Sequence, residues 1–196
     1  MTSELNRRDF LRASAAGAGL MALAPLCRAA STPLNGKILV AYASRCGSTA
    51  DIARAVAEDL KRRGLAVDLR AADKVATLTG YEAVALGSAV RFGKWLPEAV
   101  EFVRAHQAGL KRIPTAFFTV HMMNTGPDEK ARKARAGYLD PVHAVMKPGA
   151  EVFFAGRMEL SRLSFTERLL CKVMKGRDAD MRDWPAIHAW GQSVFA

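Results

Sequence analysis

The stretch that most constrains this chain is residues 37–63, KILVAYASRCGSTADIARAVAEDLKRR. It opens on an apolar run, residues 38–43, short and rich in Ile, Val and Tyr, as suits a strand buried on both faces of a parallel sheet. Small and polar residues follow: Ser44, Arg45, Cys46, Gly47, Ser48 and Thr49. Ile52, Ala53, Val56, Ala57 and Leu60 then recur at helical spacing, with Arg54, Glu58, Asp59 and Lys61 on the other face. Strand, loop and helix are therefore expected. Such a loop sits at a helix N-terminus, whose unpaired N–H groups bind anions, phosphate above all. Ser44, Ser48 and Thr49 add hydroxyls, and Gly47 lets the backbone curl around a ligand. A plainer reading is a helix cap, since Ser48 stands three before Asp51 as in a capping box. A Walker A loop needs a Lys before its Ser/Thr and a dinucleotide site needs G-x-G-x-x-G. A mononucleotide phosphate fits this loop better than either.

The rest of the chain continues the alternation. Residues 66–71 make a second strand, whose mixed apolar and charged residues suit an edge, and residues 83–89 a third, small and apolar, hence central. Pro97 opens a helix with Ala99, Phe102 and Val103 on its inner stripe. Residues 113–120 form the fourth strand. Residues 128–145 are helical in pattern but interrupted by Gly137 and Pro141. Residues 150–155 form the fifth strand, and residues 184–195 a closing helix that buries Ile187, Trp190 and Val194. Strands alternating with helices predict an α/β, doubly wound parallel sheet with helices on both faces.

The strand, the S-x-x-G-S-T loop and the following helix resemble the phosphate loop of flavodoxins. The similarity extends through Ala85-Leu86-Gly87-Ser88-Ala89-Val90-Arg91-Phe92-Gly93-Lys94, through Phe117-Phe118-Thr119-Val120, and through residues 169–175. These are similar to the menaquinone-dependent protoporphyrinogen dehydrogenase branch of flavodoxin-like proteins, over nearly the whole chain after Lys37. The resemblance implies a five-stranded sheet in the order 2-1-3-4-5 and FMN as cofactor. In such a sheet the ligand lies beyond the carboxyl ends of the strands, at the switch point beside the first strand.

Three loops then form the lips of the site. The first, Ser44 to Thr49, holds the FMN phosphate through hydroxyls and backbone amides. The second holds Ser88, Ala89, Val90, Arg91, Phe92, Gly93 and Lys94 and flanks the isoalloxazine. Phe92 or Trp95 is its candidate stacking ring, with hydrophobic cover for the next helix as the alternative, above all for Trp95. Arg91 is placed to neutralise reduced, anionic flavin or to be a solvated surface arginine. The third holds Thr119, Val120, His121, Met122, Met123 and Asn124, and departs from the family by lacking an acidic or aromatic residue. The resemblance implies backbone contacts to the pyrimidine edge there, but its side-chain roles do not carry over to these residues. His121 is a candidate proton relay or a satisfied structural histidine.

At the start, Arg7 and Arg8 precede a weakly apolar run, residues 13–26, too short to span a bilayer. That reads as a twin-arginine export signal over residues 1–29, with a linker at 30–36 and the flavodoxin-like domain at 37–196. Export by this route suits a flavoprotein, because the pathway carries cargo already folded around its cofactor. The expected location is periplasmic. Once the signal is removed, Cys46 and Cys171 remain, with no paired spacing, so no disulfide framework is expected. His106, His121, His143 and His188 show no metal spacing.

The formal charge is +10, and +8 without the four arginines and two acids that precede Ala30. Simple flavodoxins are acidic and dock on basic partners; this chain would repel those partners. A quinone, an acidic redox protein or an anionic membrane surface becomes the expected counterpart. Phe165, Leu169, Leu170, Val173 and Met174 share a helical face framed by Arg162, Arg168, Lys172 and Lys175. Such a helix lies on a bilayer or, more commonly, packs on its own sheet. Nucleic acid is not expected, as no stacking aromatics interleave with the charge. Three functions stay open: an FMN oxidoreductase passing electrons from a reduced substrate to a quinone, an exported electron carrier with a protein partner, and a flavin-free basic binding module.

Overall fold

The computed structural model describes residues 36–162 and 178–196. The twin-arginine segment, most of the linker, and the amphipathic stretch with Arg168, Cys171, Lys172 and Lys175 lie outside the described residues. Arg162 is described only as the end of a 3-10 turn, Leu160–Arg162.

The strands are β1 (Lys37–Ala43), β2 (Ala66–Ala71), β3 (Tyr81–Arg91), β4 (Lys94–Trp95), β5 (Thr115–His121), β6 (Ala150–Ala155), β7 (Arg157–Met158) and β8 (Ala179–Asp180). The helices are α1 (Ser48–Arg62), α2 (Pro97–Leu110), α3 (Glu129–Ala136), α4 (Asp140–His143) and α5 (Trp184–Ser193). Five strands pair in parallel in the order β2-β1-β3-β5-β6. This is the expected 2-1-3-4-5 order, with the short antiparallel β4 added to the end of β3. β7 and β8 form a separate antiparallel ribbon after the last parallel strand.

The apolar runs behave as strands buried on both faces require, because successive side chains point to opposite sides. On one side Leu39, Ala41, Val84, Leu86 and Phe117 pack with Ala99 and Val103 of α2 and with Leu139 and Val142. On the other, Ile38, Val40, Ala83, Ala85 and Phe118 pack with Ile52, Val56 and Leu60 of α1 and Ile187 of α5. The interrupted helical pattern resolves into α3, a 3-10 turn Gly137–Leu139, and α4, with Pro141 in the first turn of α4.

Two close approaches set the layer spacing. Gly87 of β3 lies under the Phe118 ring, where a Cβ would overlap it. Gly191 of α5 lies against Asp59 of α1, whose side chain is fully buried. Asp59 is satisfied there by Arg62 and by His188, whose Nδ1 is 2.6 Å from Oδ2. The chain leaves β1 toward β2 and returns to β3 on the other side, so β1 and β3 flank the switch point and their carboxyl ends open one crevice.

Candidate functional site

Residue 47 must reverse the chain between β1 and α1, and Gly47 does so at φ 88° as the N-cap of α1. The Ser44 hydroxyl accepts the Gly47 N–H at 3.1 Å, and the first helical bond runs from Asp51 N–H to the Gly47 carbonyl at 3.0 Å. No side chain caps the helix, so the capping-box reading of Ser48 and Asp51 does not hold. The Ser48 hydroxyl instead accepts the Arg157 N–H at 2.8 Å. Thr49 is 1% exposed, and among the described residues its Oγ1 has no hydrogen-bond partner. The N-terminus of a full-length helix offers unpaired N–H groups suited to an anion, and Thr49 lines the cavity beside it. Arg45 is tied to Glu98 at the start of α2, 2.5 Å away, so the loop is braced from the opposite lip.

The second lip is a hairpin rather than a loop. β3 runs on to Arg91 and pairs with β4 through Val90–Trp95 and Arg91–Lys94. The two-residue turn between them, Phe92-Gly93, has φ of 50° and 72°, the double positive φ of a type I′ turn. This tight turn pushes Phe92 outward to 77% exposure. It turns Trp95 inward to 3%, where it packs on Phe117 at a centroid distance of 5.0 Å. Trp95 is therefore part of the core, and Phe92 is the aromatic left at the site. The Ser88 hydroxyl accepts the Leu96 N–H at 3.0 Å and donates to the Ala89 carbonyl, so it holds the hairpin to β3.

In the third loop, His121 is buried with Nδ1 2.7 Å from the Met123 carbonyl. A carbonyl only accepts, so Nδ1 carries the hydrogen and the neutral ring keeps Nε2 as an acceptor. Burial holds its pKa below the usual histidine value of 6.5, against the Met123 hydrogen bond, which favours the cation; nearby Arg135 lowers it further. Asn124, at φ 58°, donates from Nδ2 to the Tyr138 hydroxyl at 2.6 Å. Thr119 is 1% exposed and accepts the Trp95 indole.

These elements enclose a cavity of about 260 Å³. Ser44, Arg45, Cys46, Ser48 and Thr49 form its first wall. Ala89, Val90, Arg91 and Phe92 form its second, and Val120 and His121 its floor. Gly47, Ser88, Gly93, Lys94, Thr119 and Asn124 do not line it; each shapes a turn or anchors a lip from behind. A fourth wall, Gly156, Arg157 and Met158, follows β6 and escaped the sequence reading, as did Leu96 as a lining residue. Gly156 was readable as a strand-ending glycine, but its packing against Ser48 is a contact between segments far apart in sequence: a Cβ there would meet Val120 and come within 3.2 Å of the Ser48 hydroxyl.

A cavity at the switch point of this sheet order, with a phosphate-type cradle at the first helix, defines a flavodoxin-type α/β protein. The chain belongs to the flavodoxin domain family, whose sequence model matches residues 39–183. Residues 4–24 match the model of the twin-arginine translocation signal, which marks the chain for export. Among curated proteins it is similar to a protoporphyrinogen IX dehydrogenase [quinone] of Escherichia coli K12, 24% identical over 80% of this chain and 90% of the relative. It is also similar to a protein of the same name from Leishmania major, 27% identical over 82% and 75%. In fold it matches the crystal structure of oxidised flavodoxin 1 from Bacillus cereus, with TM-score 0.52, 14% identity and coverage of 81% and 96%. A flavodoxin of Streptococcus pneumoniae TIGR4 matches with TM-score 0.51, 15% identity and coverage of 81% and 97%. The protein is thus a flavin-type oxidoreductase with FMN as its cofactor. The residues present fit that group, since the orphaned Thr49 hydroxyl and the open first turn of α1 are donors suited to its phosphate.

Proposed function

We propose that this chain is an exported, FMN-dependent oxidoreductase of the quinone-linked dehydrogenase type, passing electrons from a reduced substrate through flavin to a quinone. The observation that carries it is the pairing, in one cavity, of the anion cradle at Ser48 and Thr49 with an apolar flank of Val90, Phe92, Met122 and Met158. The names of the curated relatives, each a quinone-linked protoporphyrinogen dehydrogenase, support substrate and acceptor of that chemistry. FMN, when bound, supplies the exchange of electrons in pairs with one partner and singly or in pairs with the other.

The chain's own residues have separable tasks. Backbone N–H groups of the first turn of α1 and the Thr49 hydroxyl hold the phosphate. Phe92 covers the flat ring from the hairpin tip, while Arg91, stacked over the Phe92 ring at 5.0 Å, places positive charge where a reduced anionic ring is stabilised. His121 offers Nε2 as a proton acceptor, its ring aimed by the Nδ1–H bond to Met123. The domain after residue 36 performs this chemistry once the segment up to residue 29 has directed export and been removed.

A second reading, an exported electron carrier for an acidic protein partner, draws on one observation. Phe92 and Met123 stand exposed beside a cavity in a chain of charge +10. Purified holoprotein, reduced anaerobically and mixed with a soluble menaquinone analogue, separates the two: rapid reoxidation by quinone is expected. A protein that reoxidises only with an acidic redox protein favours the carrier. A folded protein that neither retains nor takes up FMN overturns both.

A further inference from the structure

Arg157 is absent from every part of the phosphate loop, yet both ends of this residue close on the first turn of α1. Its backbone N–H donates to the Ser48 hydroxyl at 2.8 Å, and its Nη2 lies 3.1 Å from Asp51 Oδ2. Its side chain, about one-fifth exposed, lies in the wall of the cavity that holds Thr49 and its unpartnered hydroxyl. The Arg157 Nη1 reaches Glu159 at 2.7 Å, leaving further N–H donors of the five-donor fork beyond these two contacts.

Asp51 poses an electrostatic problem for any phosphate at this helix. It is an acid in the first turn, and a bare carboxylate there would repel a second anion held by the neighbouring N–H groups. Three arginines meet it instead: Arg54 at 3.2 Å, Arg157 at 3.1 Å and Arg182 at 3.1 Å. Arg54 points from the same helix. Arg157 opens β7 and Arg182 follows β8, and of these two Arg157 lines the cavity. Two guanidinium groups from the segment after β6 thus face Asp51, each also paired on its own side, Arg157 with Glu159 and Arg182 with Asp180.

Resting on the FMN reading above, we propose that Arg157 is a phosphate-binding residue of the site, supplied by the β7–β8 ribbon, and that it sets the preference of this cavity for a phosphorylated flavin. Asp51 aims the guanidinium, while Arg182, held chiefly by Asp180 at 2.5 Å, reaches Asp51 from the far side of the segment. A planar fork suits a phosphate better than a point charge does.

The test compares FMN with riboflavin, which lacks the phosphate, by fluorescence titration of the full-length apoprotein. Arg157→Gln is expected to weaken FMN binding about tenfold or more, the scale of a charge-assisted hydrogen bond, and to leave riboflavin binding within about twofold. Arg157→Lys, which keeps charge without the fork, should retain part of the preference, and it carries the test if the Gln variant fails to fold. Arg182→Gln, which loosens the ribbon without touching the cavity, should lower the thermal midpoint and keep the preference. Equal losses for FMN and riboflavin in Arg157→Gln, or no loss, overturn the proposal. A wild-type protein with no preference for FMN overturns the phosphate-cradle reading itself, a different failure from that of Arg157.

Discussion

The indole Nε1–H of Trp95 donates to the Thr119 hydroxyl across 2.9 Å, with both residues buried. This one bond spans from the returning arm of the hairpin, β4, to β5, joining residues whose neighbours Val90, Phe92, Val120 and His121 line the cavity. It converts an aromatic and a hydroxyl that stand beside the site in sequence into a brace beneath it.

Breaking the brace from one side leaves a buried polar atom without a partner, a cost of about 1–3 kcal/mol. Trp95→Phe is therefore expected to lower the urea unfolding free energy by that amount plus the lost packing on Phe117. Thr119→Val in the Trp95→Phe background should cost less than Thr119→Val alone, because nothing polar is then orphaned. Purely additive costs in this double-mutant cycle would show that the bond carries no coupling.

Thr49 presents the opposite balance, a hydroxyl whose burial without a partner destabilises the apoprotein by about 1–3 kcal/mol. Thr49→Val keeps the shape and removes the orphan. The apoprotein should gain about 2–4 °C in thermal midpoint for each kcal/mol recovered. FMN affinity should fall about tenfold, read by fluorescence titration, and further when Ser48→Ala is added. A variant that binds FMN as tightly as the wild type would remove Thr49 from the phosphate site.

What was legible in the sequence follows from period and position. Ile38 to Ala43 and the stripe Ile52, Val56, Leu60 encode strand and helix through local periodicity, so the first lip was readable from the residues, whereas the sheet order came from the resemblance to flavodoxins. Trp95 was not, because an aromatic near a glycine has the same local signature whether it stacks on a ligand or fills a core. The register of Arg91 against Lys94 decides between them. Ser88, Thr119 and Asn124 are polar residues in the right neighbourhood whose groups are taken by Leu96, Trp95 and Tyr138. Gly156 and Arg157 meet Ser48 across more than a hundred residues, a contact that only the completed sheet creates.

Phe92 holds a positive φ that non-glycine residues adopt at a cost of about 1 kcal/mol or more, in a turn where Asn-Gly is the favoured pair. Phe92→Asn relieves that strain and removes an exposed aromatic. The thermal midpoint of the apoprotein is expected to rise by about 2–4 °C for each kcal/mol relieved. Flavin affinity, for FMN and riboflavin alike, should drop, since ring stacking does not involve the phosphate. Unchanged flavin binding would leave Phe92 without a role at the ring.

His121 makes a pH-dependent prediction whose sign follows from its burial. Its pKa in the folded chain lies below 6.5, chiefly because desolvation disfavours the cation, with Arg135 adding repulsion and the Met123 carbonyl partly opposing both. The Tyr138 ring and the Phe153 ring enclose it further, at centroid distances of 5.9 and 6.2 Å. As pH falls through about 6.5, the unfolded chain takes up a proton that the folded chain refuses, so the unfolded state is favoured. Above that pH both states are neutral at this residue and the effect vanishes; below the folded-state pKa both are charged and the loss levels off. Unfolding free energies measured from pH 8 to pH 5 should therefore decline more steeply for wild type than for His121→Asn. The difference isolates this ring from the pairs His188–Asp59 and His143–Glu151, which both proteins share. An NMR titration of the His121 ring with its midpoint at or above 6.5 would refute this assignment, and with it the neutral Nε2 that the proton-acceptor role at the flavin needs.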